Sequence, residues 1–446
     1  MRYEKYISVP DAIWFDVVPD SWRALKMRGV FSERNTKVSD KDYPALSVGK
    51  MGVVPQLDTA VKTDNGDNRK LICKGDFAIN SRSDRKGSSG ISQYDGSASL
   101  IITVLKPHRS LNGRFYHYLL RGHYFAEEFY RNGHGLVSDL WTTKWDEMRN
   151  IYIPVPPREE QDQIVRYLDW QVSKINKLIH GYQWKIKLLE ERRQTIIDQT
   201  SLEGVDGVKL IDSGTHWVKQ IPENWKMVYS KKLFAERKDK AFLNDEQLTA
   251  SQKHGVISQK EFMEKVGRRV TVVTKGGDIL KHVGKGDFII SMRSFQGGLE
   301  YSYVEGKISS AYVMLIPRKG LVYDEYFKWF LKSTPYIKAL QGTADLVRDG
   351  QALRYANFAK VPLPQVPIDE QKRIADYIEQ ETAKIDRAIP VLEKEIELLK
   401  EYRTRLISDV VTGQMDVRNV EVPEYTPEED IAEEAPEEQE VEMDAD

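Results

Sequence analysis

Apolar residues return every three or four positions through Ile164, Leu168, Val172, Ile175, Ile179, Tyr182, Ile186, Leu189 and Ile196, and only Arg193 breaks the series. This rhythm predicts a long helix with a heptad seam, from Glu159 to about Thr200. The same pattern recurs 210 residues on, in Ile374, Ile378, Thr382, Ile385, Ile389, Leu392, Ile396, Leu399 and Leu406, with Arg403 at the position of Arg193. Two matching seams are expected to pack on each other. His180-Gly181 and Pro390 fall at the same height and predict a kink or break, Pro390 the more strongly. Ahead of each helix the rhythm is different. Short β-branched runs, DFAIN and SLIITVL in one stretch and DFIIS and AYVMLIP in the other, are bounded by Gly, Asp, Ser and Pro and read as strands. Aromatic-rich helical stretches begin at Phe115 and Glu325. Proline runs, IPVPP and VPLPQVP, then set an abrupt start for each long helix.

These elements belong to two copies of one plan. Trp14 and VPDSW (Val18 to Trp22) fall on Trp217 and IPENW (Ile221 to Trp225), and FSER at Phe31 falls on FAER at Phe234. KGDFAINSR (Lys74 to Arg82) falls on KGDFIISMR (Lys285 to Arg293), and PPREEQDQIVRYLD (Pro156 to Asp169) on VPIDEQKRIADYIE (Val366 to Glu379). Small indels between well-matched blocks are what two diverged domains leave, with loops changing length while the framework holds. The expected fold is α+β: two tandem mixed α/β domains alternating with two long helices that pair as an antiparallel coiled coil. The segments are 1–155, a helix and linker over 156–212, 213–365, a second helix over 366–420 and an acidic tail over 421–446. A helix of this length spans about 60 Å at 1.5 Å per residue. Antiparallel pairing would put the domains at opposite ends of a rod, related by a pseudo-two-fold axis. Such a rod can act as a ruler, since dimeric DNA readers span half-sites about 34 to 36 Å or more apart.

Charge supports a polyanion partner. The formal charge of the 446-residue chain is -2, yet Glu421 to Asp446 holds 13 acidic residues and no basic one. The body before it therefore carries a net positive charge, as Lys and Arg that release counterions from phosphates require. A hydrophobic share of 40% with 30% charged residues is a globular composition. No apolar run approaches a membrane span, and the single cysteine, Cys73, fits a reducing cytoplasm.

Catalytic signatures are missing. The Gly-Lys pairs at Gly49, Gly284 and Gly306 are followed by Met, Gly and Ile, never the Ser or Thr of a P-loop. Gly133-His134-Gly135 opens a dinucleotide fingerprint but has Ser138 where its third glycine belongs. Asp369, Glu370 and Lys372 invite a nuclease reading, but the equivalent Glu159-Glu160-Gln161-Asp162 replaces the lysine with an acid. What the copies share is carboxylates in a first helical turn, where they complement the helix dipole. The eight histidines form no HExxH pair, so no metal site is expected.

On the W-x(4)-P-x-x-W motif from Trp14 to Trp22, IPENW, the KGDF strand, the doubled EQ-helix start and VTGQMDVR (Val411 to Arg418), the chain resembles the specificity subunits of type I restriction-modification systems. The resemblance runs to about residue 420. It implies two target recognition domains reading the halves of a bipartite duplex DNA site, with no catalysis and no cofactor in this subunit. It also implies two methylation subunits using S-adenosylmethionine and two restriction subunits using ATP and Mg. Recognition domains set phosphates with Lys and Arg and read base edges with Arg, Asn, Gln, Ser and Thr. The DNA-contact candidates after the KGDF strand are Arg82, Ser83, Arg85 and Lys86, with Arg293, Ser294 and Gln296 opposite them. Before the proline run they are Trp141, Thr142, Thr143 and Lys144, with Arg348, Gln351 and Arg354 opposite. Trp170, Trp184, Tyr377 and Tyr402, off the seam, are candidates for docking methylation subunits or for local packing. The alternative is a duplicated scaffold that binds RNA or protein through its two domains.

Overall fold

The computed structural model describes residues 2–56, 66–82, 87–108, 111–135, 141–251, 255–266, 280–291, 299–343, 346–347, 350–351 and 353–427. The chain divides into two units, 1–183 with 393–446, and 184–392. Each holds one globular domain and one half of each long helix.

The first domain contains β1 (Arg23–Lys26), β2 (Phe31–Glu33), the hairpin β3 (Leu46–Gly49) and β4 (Gly52–Pro55), β5 (Phe77–Asn80), β6 (Ser89–Ile91) and β7 (Ile102–Pro107). Helices α1 (Gly113–Arg121), α2 (His123–Arg131) and α3 (Trp145–Met148) follow, then β8 (Tyr152–Val155) and the long α4 (Arg158–Glu203). An antiparallel sheet runs in the order β6-β5-β7-β2, with Asn80 opposite Ile102 and Phe77 opposite Leu105. β5 is central and all four of its residues are buried, which is why FAIN shows no polar alternation.

The second domain repeats this order with β9 (Lys226–Tyr229), β10 (Phe234–Arg237), β11 (Phe288–Ser291), β12 (Glu300–Tyr301) and β13 (Tyr312–Pro317). Then come α5 (Asp324–Phe330), α6 (Thr334–Gln341), α7 (Tyr355–Lys360), β14 (Pro362–Gln365) and α8 (Ile368–Val411). Its sheet runs β12-β11-β13-β10, the same arrangement as in the first domain. Phe234 meets Phe288, Phe327 and Phe358 edge-on at 5.6, 5.1 and 5.8 Å between ring centroids.

The repeated motifs are repeated bonds. In KGDF, the Asp76 carboxylate accepts from the Cys73 amide and from Arg34 Nε at 2.6 Å and Nη2 at 3.1 Å. Asp287 likewise accepts from the Gly284 amide and from Arg237 Nε at 2.6 Å and Nη2 at 2.9 Å. Trp14 Nε1 donates to the Tyr152 carbonyl at 2.8 Å, and Trp217 Nε1 to the Pro362 carbonyl at 3.2 Å, tying the first motif to the strand before the long helix.

The doubled EQ is a clamp rather than a dipole complement alone. Gln161 donates to the Pro156 carbonyl at 2.9 Å and accepts from the amide of Asn112, the cap of α1, at 2.9 Å. Gln371 donates to the Val366 and Leu321 carbonyls at 2.8 and 2.9 Å and accepts from the Tyr323 amide, at the start of α5, at 2.7 Å. Both glutamines are buried, as are their neighbours Glu160 and Glu370, which accept from Tyr3 Oη and Asn224 Nδ2. Each pair thus fastens a long helix to its own domain.

Both long helices continue through the positions where a break was expected: α4 passes His180-Gly181 and α8 passes Pro390. Gly181 and Pro390 are exposed; the glycine keeps its backbone donor and acceptor, and the carbonyl of Asp386 that Pro390 leaves without an amide donor can bond water. Along the seam Ile164, Leu168, Ile175, Ile179, Ile374, Ile378, Ile385, Leu392 and Ile396 are buried, whereas Ile186, Leu189, Ile389 and Leu399 are half-buried. Near the end of α4 the buried residue is Ile197 rather than Ile196. Ile374 and Ile378 of α8, with Ile197 and Leu202 of α4, belong to the core of the second domain, so the outer seam positions serve domain and helix pair together.

The helices pair antiparallel, and the arginines that interrupt the apolar series mark their register. In the first unit Arg403 Nη1 donates to Asn176 Oδ1 at 2.8 Å. In the second Arg193 Nε donates to Asp386 Oδ1 at 2.9 Å. Asn176 and Asp386 are equivalent residues of the two helices, so the copies share one polar rung. A polar group at a seam position specifies register at a cost in stability. The first unit closes with Gln163 Nε2 donating to the Val417 and Val420 carbonyls at 3.0 and 2.8 Å. There Gly413 has φ +76°, and a Cβ on it would stand 2.4 Å from Pro19, so a side chain is excluded.

Candidate nucleic-acid interface

In the first domain the structure brings together two sequence segments that were singled out separately. Beyond β5 the chain runs on through Ser81 to Arg82, which forms an antiparallel bridge with Thr142. Thr142 also exchanges two 2.9 Å backbone bonds with His134, and the Thr143 amide donates to the Ser81 carbonyl at 2.9 Å. Arg82 is exposed here and Thr142 half-buried.

Their neighbours hold this surface in place. Trp141 Nε1 donates to the Tyr130 carbonyl at 2.9 Å, and Thr143 is buried with its hydroxyl donated to the Phe129 carbonyl at 2.8 Å. Gly133 lies beneath them, where a Cβ would meet Trp141 Nε1 at 2.4 Å and Thr143 Oγ1 at 2.6 Å. Close approach of two side chains, not a nucleotide turn, explains this glycine. Of the four candidates in this segment, Lys144 is exposed and Thr142 half-buried, while Trp141 and Thr143 brace the turn.

Lys144 precedes α3, and its amide donates to Glu147 Oε2 at 2.8 Å. Arg354 holds the same place before α7, its amide donating to Asn357 Oδ1 at 3.0 Å. Both are exposed. The two copies therefore present a cation at one equivalent point. Gln351 lies in a short strand whose backbone pairs with Leu346. Ser83, Arg85, Lys86, Arg293, Ser294, Gln296 and Arg348, and the side chain of Gln351, lie outside the described residues.

One group of residues was not anticipated. A pocket of about 280 Å³ opens between the β3–β4 turn, β6 and α1, and its lining includes Lys50, Gln93, Arg114, His117 and Arg121. Burial, with Arg121 and Arg114 adding to it, pushes the His117 imidazole down to about 3. The signal was present in the comparison of the copies: Arg114, His117 and Arg121 stand opposite Glu325, Lys328 and Lys332. Without knowing which strands face α1, that difference reads as ordinary surface drift. Among the described residues no group of three His, Cys, Asp or Glu side chains could hold a metal ion, and no helix is long and apolar enough to cross a membrane.

No protein-family model matches the chain. A Methanocaldococcus jannaschii protein assigned, as MjaX, to the type I restriction enzyme specificity subunits is 22% identical over 430 residues, 90% of this chain and 95% of its own. The type I restriction enzyme MjaVIII specificity subunit of the same organism is 22% identical over 289 residues, 61% of this chain and 64% of its own. A solved structure concerned with complex assembly and conformational transition of the type I restriction-modification system superposes with a TM-score of 0.66. It is 15% identical and covers 89% of this chain and 99% of its own, a likeness of fold. The resemblance to type I specificity subunits thus extends over most of the chain.

Proposed function

We propose that this chain is the DNA sequence-recognition subunit of a type I restriction-modification complex. Each globular domain reads one half of an asymmetric bipartite duplex site, and the paired helices hold the two readers. The observation that carries this reading is a duplicated frame with unlike surfaces. The KGDF ion pairs, the glutamine clamps and the tryptophan ties recur in both copies, whereas the edge strand carries Gly90 and Ile91 in one and Glu300 and Tyr301 in the other. The full-length likeness to specificity subunits supports it, and the RNA- or protein-binding scaffold finds no support among those relatives.

The chain itself supplies recognition without catalysis. Two methylation subunits would bring S-adenosylmethionine, and two restriction subunits would bring ATP and Mg. The exposure of Arg82, Lys144 and Arg354, with half-buried Thr142 bridged to Arg82, supports a role for them in meeting DNA. The test is binding of the full-length chain to random-sequence duplexes at several salt concentrations. Log K should fall linearly with log salt, by about 0.9 for each phosphate neutralised. Undetectable binding, or binding indifferent to salt, would overturn the proposal.

A further inference from the structure

The two domains also differ in the turn that follows β2 in the first and β10 in the second. Gly96 and Gly306 fix the correspondence, since a Cβ on the one would strike the Pro44 carbonyl and on the other the Glu246 carbonyl. Counting back from there, Asp40-Lys41 of the first copy stand opposite Phe242-Leu243 of the second. The first turn is polar and tied to its neighbours: the Asp40 amide donates to the Gly66 carbonyl at 2.9 Å, and Lys41 pairs with Asp67 at 3.5 Å. The second sends apolar side chains into solvent, with Leu243 95% and Phe242 59% exposed.

That second turn is firmly held. The Asp245 carboxylate accepts from the Phe242 amide at 2.9 Å and lies 2.8 Å from His282 Nδ1, and the Asp245 amide donates to the Phe242 carbonyl at 3.2 Å. The Ala241 amide donates to the Leu280 carbonyl at 3.0 Å, and the Phe242 ring lies against His282, 4.5 Å between centroids. Phe242 is thus braced, and Leu243 stands beyond it as an apolar tip. A fixed turn that keeps a leucine out of the core is placed to bury it in a partner.

The sheet registers point to the partner. β10 ends at Arg237 opposite Met314 and β11 at Ser291 opposite Tyr312, so both strands run off the end of the sheet where β13 begins. The turn is tied to this end, for Lys240 bridges Lys281, whose Nζ donates to the Tyr312 carbonyl at 2.7 Å. In the first domain the corresponding end, where Asn80 stands opposite Ile102, leads into Arg82 and its bridge to Thr142. The apolar tip therefore rises from the sheet end that bears DNA-contact candidates in the other copy. Lys238 and Lys240, both exposed, lead into it.

We infer that Leu243 is a wedge that enters a base step of the half-site read by the second domain, with Phe242 as its support. Apolar side chains inserted between base pairs unstack the step and kink the duplex. The inference rests on the function proposed above and adds an uncharged contact that the polar Asp40-Lys41 turn of the first domain cannot make. The two half-sites then differ in how the DNA is deformed as well as in the bases read.

The experiment uses the full-length chain and duplexes enriched from a random pool by binding to it, with a donor dye at one end and an acceptor at the other. Leu243→Ser removes the wedge at a side chain so exposed that the fold does not depend on it, and Leu243→Met keeps an apolar one. Wild type and Leu243→Met should raise energy transfer between the dyes on binding. Leu243→Ser should bind about tenfold or more weakly and raise the transfer less, while keeping the wild-type salt slope because no charge is lost. Binding and energy transfer by Leu243→Ser equal to those of the wild type would overturn the wedge and leave the proposed function standing. Weaker binding with unchanged energy transfer would place Leu243 outside the base stack and overturn the insertion. A chain that enriches no duplex would defeat the proposed function and the wedge together.

Discussion

In the first domain the edge strand carries Gly90 and Ile91 and opens onto a basic pocket; in the second it carries Glu300 and Tyr301, and ion pairs and rings fill the same place. Within the frame the two domains share their main bonds, from the Arg34–Asp76 and Arg237–Asp287 pairs to the Gln161 and Gln371 clamps. The contrast separates two kinds of residue. Those whose bonds recur hold the frame, and those whose bonds do not recur lie where the two domains meet different surroundings.

The strongest way to break this comparison is to remove a recurring buried acid. Asp76→Ala leaves the largely buried Arg34 guanidinium without a carboxylate, and Asp287→Ala leaves Arg237 only its half-exposed second partner Asp239; each should lower stability by about 3 to 5 kcal/mol. Urea denaturation should find comparable losses in both variants. A large loss in one and none in the other would mean that the shared motif serves different ends. Next come Gln161→Ala and Gln371→Ala, each stranding buried backbone groups at a helix start. A loss of about 1 to 3 kcal/mol is expected for each, read in the same way.

The polar rung sharpens the comparison, because its two versions differ in burial. Asn176 is fully buried against Arg403, whereas Asp386 is 48% exposed against Arg193. Arg403→Met should therefore cost about 1 to 2 kcal/mol through loss of a charge-assisted bond to a buried amide. Arg193→Met should cost less than about 1 kcal/mol. Thermal unfolding of the two variants side by side checks the order. The smallest effect on stability belongs to Lys144→Gln and Arg354→Gln, within about 0.5 kcal/mol of the parent. Each should instead lower the salt slope of duplex binding by about 1.

The duplication made much of the fold legible. Two copies of each motif, aligned on one another, distinguish a strand such as DFAIN from chance because DFIIS recurs in its place. The continuity of the helices was not legible. Gly181 and Pro390 weaken a helix locally, the first by its backbone freedom and the second by its missing amide, but whether the carbonyl freed by Pro390 meets water depends on which face it occupies. Nor did the sequence reveal the role of the EQ pair. Its partners, Asn112 and Tyr323, lie about fifty residues upstream, and only the fold brings them to the helix start.

Which candidates share a surface was legible only in part. Arg82 and Thr142 were chosen on separate grounds and prove to be bridged, whereas Thr143, chosen beside them, turns inward to Phe129. Direction along an irregular turn follows from local bonds that periodicity does not encode. The pocket at Lys50, His117 and Arg121 draws on three distant elements, so no window of sequence contains it.

Selection of a bipartite duplex site for a methylation complex, as proposed above, would be written in the methylation pattern of the genome. Its most direct test is genome-wide mapping of methyladenine in cells with and without the gene. One bipartite motif, methylated in the parent, should lose its methylation when the chain is absent. An unchanged methyladenine pattern would contradict it.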